Sequence, residues 1–135
     1  MDQNKRFNRK ILRLRPGGLA IYGKFLKKQM SSKKARVFVA EADGKVIGHL
    51  MVSVKKLPPV YTIDKEAYVD ELFVKPAFRG KGVGAALLRE AQKWAKNRGL
   101  RELSLTANVK NARAQEVYHE FGFRDLTVKL VKFLG

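Results

Sequence analysis

Three glycines at alternate positions, in Arg79-Gly80-Lys81-Gly82-Val83-Gly84, separate a short strand pattern from a helical one. The strand pattern is Tyr68-Val69-Asp70-Glu71-Leu72-Phe73-Val74, and the amphipathic helix begins at about Gly84. Glycine accepts the left-handed backbone that tight turns need, so the chain can reverse there with its amides exposed. The helix that follows adds about half a positive charge at its N-terminus. Strand, glycine turn and helix in that order make an anion cradle of a size that takes a pyrophosphate. The spacing departs from the Walker loop, because no Lys-Ser or Lys-Thr follows the last glycine, and from the dinucleotide fingerprint Gly-x-Gly-x-x-Gly. A turn whose glycines serve only close strand–helix packing stays open.

The surrounding pattern supplies a frame for such a turn. Residues 36–41 and 45–54 are β-rich runs separated by Ala42-Asp43-Gly44, a hairpin signal in which Asp-Gly supplies positive φ angles. Residues 55–64, with Pro58-Pro59, read as a loop because consecutive prolines remove ladder donors. A strand over 67–74 follows. Leu87, Leu88, Ala91, Trp94 and Ala95 form the apolar stripe of the next helix, which stops at Asn97-Arg98-Gly99. Leu103 and Leu105 mark a strand parallel to the previous one, because a helix connects the two and completes a right-handed βαβ unit. A second helix over about 111–120 buries Ala114, Val117, Tyr118 and Phe121 and ends at Gly122. A last strand over about 124–133 alternates Leu126, Val128 and Leu130, then shifts phase to Val131 and Phe133, where a bulge fits. Upstream, Leu19, Tyr22, Leu26 and Met30 follow helical spacing over 18–30, and residues 5–14 are compatible with a basic helix or a strand.

At 135 residues, 45% of them apolar, the chain is expected to form one domain with one core. It has no cysteine and two well-separated histidines, which excludes a disulfide frame, a thiol nucleophile and a Cys- or His-built zinc site. No stretch approaches the about 18 apolar residues of a membrane span, so no membrane partner is expected and a cytoplasmic location is the default. The net charge is +17, and residues 1–36 hold twelve Lys or Arg against one acid, Asp2, so +11 of it sits there. Such a field attracts nucleotides, nucleic acid or acidic surfaces and repels free polycations, although a lysine-rich solubilising surface has the same composition. A nucleic-acid-binding module is the competing class. It is disfavoured because no aromatic-basic platform of an RNA-binding domain is present, and a steep fall of affinity with salt would mark it.

Downstream of the glycine loop lies Asn111-Ala112-Arg113-Ala114-Gln115-Glu116-Val117-Tyr118, followed by Phe121-Gly122-Phe123. Together with Arg79, Gly82 and Gly84, which match Gln/Arg-x-x-Gly-x-Gly/Ala, this resembles the GNAT acyltransferases and their Asn-x-x-Ala-x-x-x-Tyr pattern. The resemblance covers about residues 36–125. It implies an α/β fold with a mixed, mostly antiparallel sheet, a splayed parallel strand pair and flanking helices. It also implies acetyl-CoA as cosubstrate and direct transfer of the acetyl group to the primary amine of an acceptor, small molecule or protein. A CoA-binding protein without catalysis is the alternative within the same frame.

The resemblance further implies roles for individual residues. Backbone groups of Leu72, Phe73 and Val74 pair with the pantetheine amides as an added strand. The pyrophosphate sits on the loop from Arg79 through Gly80, Lys81, Gly82, Val83 and Gly84 to Ala85. Asn111 holds the pantetheine arm, caps its helix, or does both. Tyr118 is the general acid for the departing thiolate. A phenol of pKa about 10 is protonated at neutral pH and can donate to a thiolate whose conjugate acid lies at about 8.5; packing in the core stripe is its structural alternative.

For the base the resemblance favours Asp70. Asp70 and Glu71 are adjacent on a strand and point to opposite faces unless a bulge intervenes. Some relatives carry a glutamate five residues before the motif asparagine, where this chain has Thr106. His49 is a lone histidine on the hairpin strand and receives no role. The acceptor, the oligomeric state and a homodimer in which a partner chain completes the pocket are left open.

Overall fold

The computed structural model describes residues 34–135. The helix expected over 18–30 and the basic segment 5–14 lie outside the described residues. Strand β1 (Ala35–Ala42) turns through Asp43 and Gly44, at φ 51° and 77°, into β2 (Lys45–Lys56). Both turn residues adopt the left-handed backbone expected of the Asp-Gly signal. After the proline loop, β3 (Lys65–Val74) pairs with β2, and a single 3-10 turn, Pro76–Phe78, leads to helix α1 (Val83–Asn97). Strand β4 (Leu103–Ser104) and helix α2 (Ala112–Phe121) follow. The sheet order is β1-β2-β3-β4, antiparallel except for β3 and β4, which run parallel as the connecting helix requires.

One face of this sheet carries the larger part of the core. Ala40, Ile47, Leu50, Val52, Ala67 and Val69 meet Val83, Leu87, Leu88, Ala91 and Trp94 of α1, with Tyr118, Phe121 and Phe123 packed at its edge. Leu87 and Leu88 are fully buried, and each contributes about 1.5–3 kcal/mol through burial. The opposite face carries a smaller cluster of Val37, Val39 and Met51. Alternation along β1 and β2 therefore feeds two faces, as a strand period of two dictates.

The expected elements shift in three places. β4 is only two residues long, because it pairs with β3 at Ala67–Leu103 and Tyr68–Ser104 and then parts from it. In α2, Ala114, Tyr118 and Phe121 are half-buried as expected, but Val117 is exposed: the helix rests on the core edge by one narrow stripe. The strand expected over 124–133 does not form among the described residues. Alternation makes a segment suitable for a sheet, but a strand also needs a neighbouring edge to bond, and among the described residues this segment pairs with none.

Candidate functional site

The turn between β3 and α1 is built from local backbone chemistry. Gly82 is the N-cap of α1 at φ 85° and ψ 6°, a conformation in which a Cβ clashes with the following carbonyl. Its carbonyl accepts the first helical bond, from the Ala86 amide at 3.0 Å. The amides of Val83, Gly84 and Ala85 thus have no partner within the helix and face outward at its positive end. Gly80 is also left-handed, at φ 75°. Gly84 has an ordinary backbone, and a Cβ there would meet nothing closer than Val74 Cγ2 at 3.9 Å. The space at Gly84 opens toward solvent, where a ligand would approach.

Arg79 has a task that its sequence position did not reveal. Its Nε donates to the Val74 carbonyl at 2.8 Å, and its guanidinium lies 5.7 Å from the Phe73 ring centre. It therefore ties the end of β3 to the start of the glycine loop. Gly48 was also missed. A Cβ on it would lie 2.9 Å from the Phe73 carbonyl, so only glycine lets β2 and β3 approach so closely here, with Val83 Cγ1 of α1 in ordinary contact at 3.5 Å. No periodicity signal marks such a position, since the crowding comes from a neighbouring strand 25 residues along the chain.

Among the described residues the ladder between β3 and β4 ends at Tyr68 and does not reach Leu72, Phe73 and Val74, although the Val74 carbonyl accepts from Arg79 Nε. Their pairing to β2, through Leu50, His49 and Gly48, is intact. The two parallel strands splay, and the edge of β3 that the ladder leaves ends at the glycine loop. Across the opening, the Tyr68 hydroxyl and Thr106 Oγ1 are 2.8 Å apart.

A bulge sets the carboxylates. Val52 pairs with Val69 and Met51 with Glu71, leaving Asp70 as the extra residue of β3. Ser53 Oγ donates to Asp70 Oδ2 at 2.6 Å, and His49 Nε2 lies 3.0 Å from Glu71 Oε1. A carboxylate only accepts, so Nε2 carries the proton. His49, Met51 and Ser53 share the face opposite α1, as their pairing with Val39, Val37 and Ala35 requires. Both carboxylates therefore bond to the same face, and the condition under which they would separate is removed by the bulge. His49 is 3% exposed, and its ring lies tilted against Phe73, with ring centres 5.8 Å apart.

Tyr118 lies on the other side, packed against the core beneath α1 and edge-on to Phe123 at 6.0 Å. Burial raises its phenol above the usual value of 10.0, because the charged form loses solvation. Asn111 caps α2, its Oδ1 accepting from the Ala114 amide at 3.2 Å. Asn111→Ala is expected to cost about 1 kcal/mol of stability through loss of that cap, read as a lowered melting temperature. A simultaneous fall in acetyl-CoA affinity would reveal the second role that the resemblance implies. An unchanged melting temperature would remove the capping role.

A profile of the Acetyltransferase (GNAT) family matches residues 10–123. An uncharacterized N-acetyltransferase of Methanocaldococcus jannaschii is 38% identical over 93 residues, 67% of this chain and 40% of that one. An aminoglycoside N(6')-acetyltransferase type 1 of Salmonella typhimurium is 32% identical over 65% of this chain and 61% of its own length, so this chain spans less than two thirds of both proteins. An N-alpha-acetyltransferase of Sulfurisphaera tokodaii is 30% identical over 95% of this chain and 77% of that one. Among solved structures, the aminoglycoside N-acetyltransferase AAC(6')-Iy in complex with the bisubstrate analog CoA-S-monomethyl-acetylneamine superposes with a TM-score of 0.72 at 25% identity. That match covers 82% of this chain and 76% of the other. With a match that runs through both the glycine loop and the helix from Asn111 to Tyr118, the chain belongs to the acetyltransferase (GNAT) family.

Proposed function

We propose that this protein transfers the acetyl group of acetyl-CoA directly to a primary amine. One observation carries this reading: the edge of β3 that the ladder leaves runs straight into a turn whose helix amides await an anion. A pantetheine arm with two amides, followed by a pyrophosphate, has the chemistry to fill both in one ligand. Acetyl-CoA brings the activated thioester. A solved structure that this chain resembles holds a bisubstrate analog of CoA, which supports the choice of cosubstrate.

The chain's own residues divide the remaining work across the sheet. Leu72, Phe73 and Val74 orient the arm through their backbone, and Gly80, Lys81, Gly82, Val83, Gly84 and Ala85 hold the pyrophosphate. Arg79 keeps the strand end and the loop in register through the Val74 carbonyl. Asp70 and Glu71, on the face opposite α1, attract the acceptor's ammonium and take its proton, directly or through water. Tyr118, on the α1 side, is held protonated by burial and gives its proton to the departing thiolate. Acid and base thus stand on opposite faces of the sheet. An acidic patch on a chain of net charge +17 favours a single amine presented at the surface of a larger acceptor over a free polycation.

Asp70→Asn and Glu71→Gln separate the two carboxylates. The residue that serves as base is expected to lose about 100-fold in kcat/KM for the amine, with the KM for acetyl-CoA unchanged. The measurement is thiol release with a panel of primary amines and peptide N-termini. Full activity in both variants and in the double variant would show that neither carboxylate handles the amine.

A further inference from the structure

The sheet face opposite α1 carries more than the two carboxylates. Tyr68 pairs with Ser53 and Lys55 with Glu66, so Lys55, Glu66 and Tyr68 share that face with Ser53. Lys55 is exposed, yet it does not bond across to Glu66. Its side chain leans along the sheet instead, and Nζ stands 3.6 Å from the centre of the Tyr68 ring. Among the described residues Lys55 enters no ion pair. The Tyr68 hydroxyl in turn meets Thr106 Oγ1 at 2.8 Å. One hydroxyl donates to the other in that contact, which leaves the second hydroxyl proton available. A cation and a hydroxyl donor therefore stand together with no anion between them.

Asp70 and Glu71 lie farther along the same strand. At about 3.3 Å of rise per residue, Tyr68 and Asp70 are about 6–7 Å apart, so the face presents a negative end and a positive end at that separation. The field of the whole chain has the same sense. Of the net charge of +17, +11 sits in residues 1–36, which draws acidic acceptors and repels basic ones.

Resting on the transferase reading above, we propose that the acceptor is a peptide N-terminus whose second residue is acidic, with Asp70 and Glu71 receiving the ammonium and Lys55 with the Tyr68–Thr106 hydroxyl pair receiving the carboxylate. In an extended peptide the side-chain carboxylate of the second residue lies about 7 Å from the N-terminal nitrogen, which matches the two ends of the site. A neutral second residue leaves Lys55 without a partner, and a basic one is repelled. The transfer itself is unchanged: the amine nitrogen forms the new bond to the acetyl carbon, the carbon–sulfur bond breaks, and the amine proton passes to a carboxylate. Lys55 touches only the acceptor's second residue, so it sets specificity and acts through KM.

The test is acetylation by the full chain of three peptides that begin with alanine and differ only in a second residue of Glu, Gln or Lys. The Glu peptide is expected to exceed the Gln peptide about fivefold in kcat/KM, the scale of one exposed charge pair, and the Lys peptide to fall below both. In Lys55→Gln the Glu-to-Gln ratio should drop to about one, and in Lys55→Glu the Lys peptide should lead. Ratios taken within one variant cancel any change in folding or in acetyl-CoA binding. Lys55→Gln lowers the net charge only by one, from +17, so a lost ratio reports the site and not the field. A wild-type ratio of one or less, or a ratio that Lys55→Gln leaves intact, would overturn the proposal, while transfer to the peptides upholds the transferase reading. Transfer to small primary amines but to none of the peptides would overturn it in the same way. No transfer to any amine would remove the transferase reading and the proposal with it.

Discussion

Gly82→Asp is expected to abolish saturable acetyl-CoA binding in calorimetry at physiological salt, a loss of about 100-fold or more in affinity. Two costs combine. The αL backbone at φ 85° penalises any Cβ by about 1–2 kcal/mol, which alone is about tenfold when the loop relaxes away from its binding shape. The added carboxylate then stands beside the amides of Val83, Gly84 and Ala85 and repels the pyrophosphate that they would receive. Gly82→Ala isolates the conformational part and should lose about tenfold. Gly84→Ala is the complementary probe, since its Cβ meets only Val74 Cγ2, at 3.9 Å, and leaves the fold unstrained. Any affinity lost there reports the ligand's own approach to the backbone. Undiminished binding in Gly82→Asp would reduce the cradle to a packing turn.

Tyr118→Phe is expected to lower kcat by about 100-fold or more while acetyl-CoA affinity stays at the wild-type value. Phenylalanine keeps the ring packing against Phe123 and the core edge, so the change isolates the hydroxyl. The phenol acts while protonated, and burial raises its pKa above 10.0, so the wild-type rate holds through neutral pH and its alkaline limb lies above pH 10.0. That limb should vanish in the variant. The same shift acts on stability. The unfolded phenol ionises first, so the stabilisation from keeping it neutral is complete below pH 10.0 and is lost as pH rises through the higher folded value. Melting temperature against pH should accordingly fall more steeply in the wild type than in the variant. Equal turnover in wild type and variant, with a confirmed acceptor, would remove Tyr118 as the acid.

Much of the frame was legible residue by residue. The Asp43-Gly44 turn, the stripe from Leu87 to Ala95 and the glycine after α1 each depend on backbone preference or periodicity within a few residues, and each formed as expected. The backbone of the glycine turn was legible for the same reason: a positive φ at Gly82 and amides left over at a helix start are local properties. The glycine loop and the asparagine–tyrosine helix also carried the family resemblance, which the profile match over residues 10–123 bears out.

What the sequence by itself determined, then, was the order and type of the elements and the backbone chemistry at their junctions, because neighbouring residues set both. Only the tertiary structure decided which groups meet. The bulge that turns Asp70 and Glu71 to one face exists because Val52 pairs with Val69 while Met51 pairs with Glu71, a register set between strands. The need for glycine at position 48 arises from the Phe73 carbonyl of β3, which a Cβ would meet at 2.9 Å. That Arg79 Nε donates to the Val74 carbonyl, at 2.8 Å, is likewise settled only in the folded chain. Alternation over residues 124–133 is the pattern of a strand, but ladder bonds are made with another segment, and whether an edge is within reach is a property of the assembled sheet.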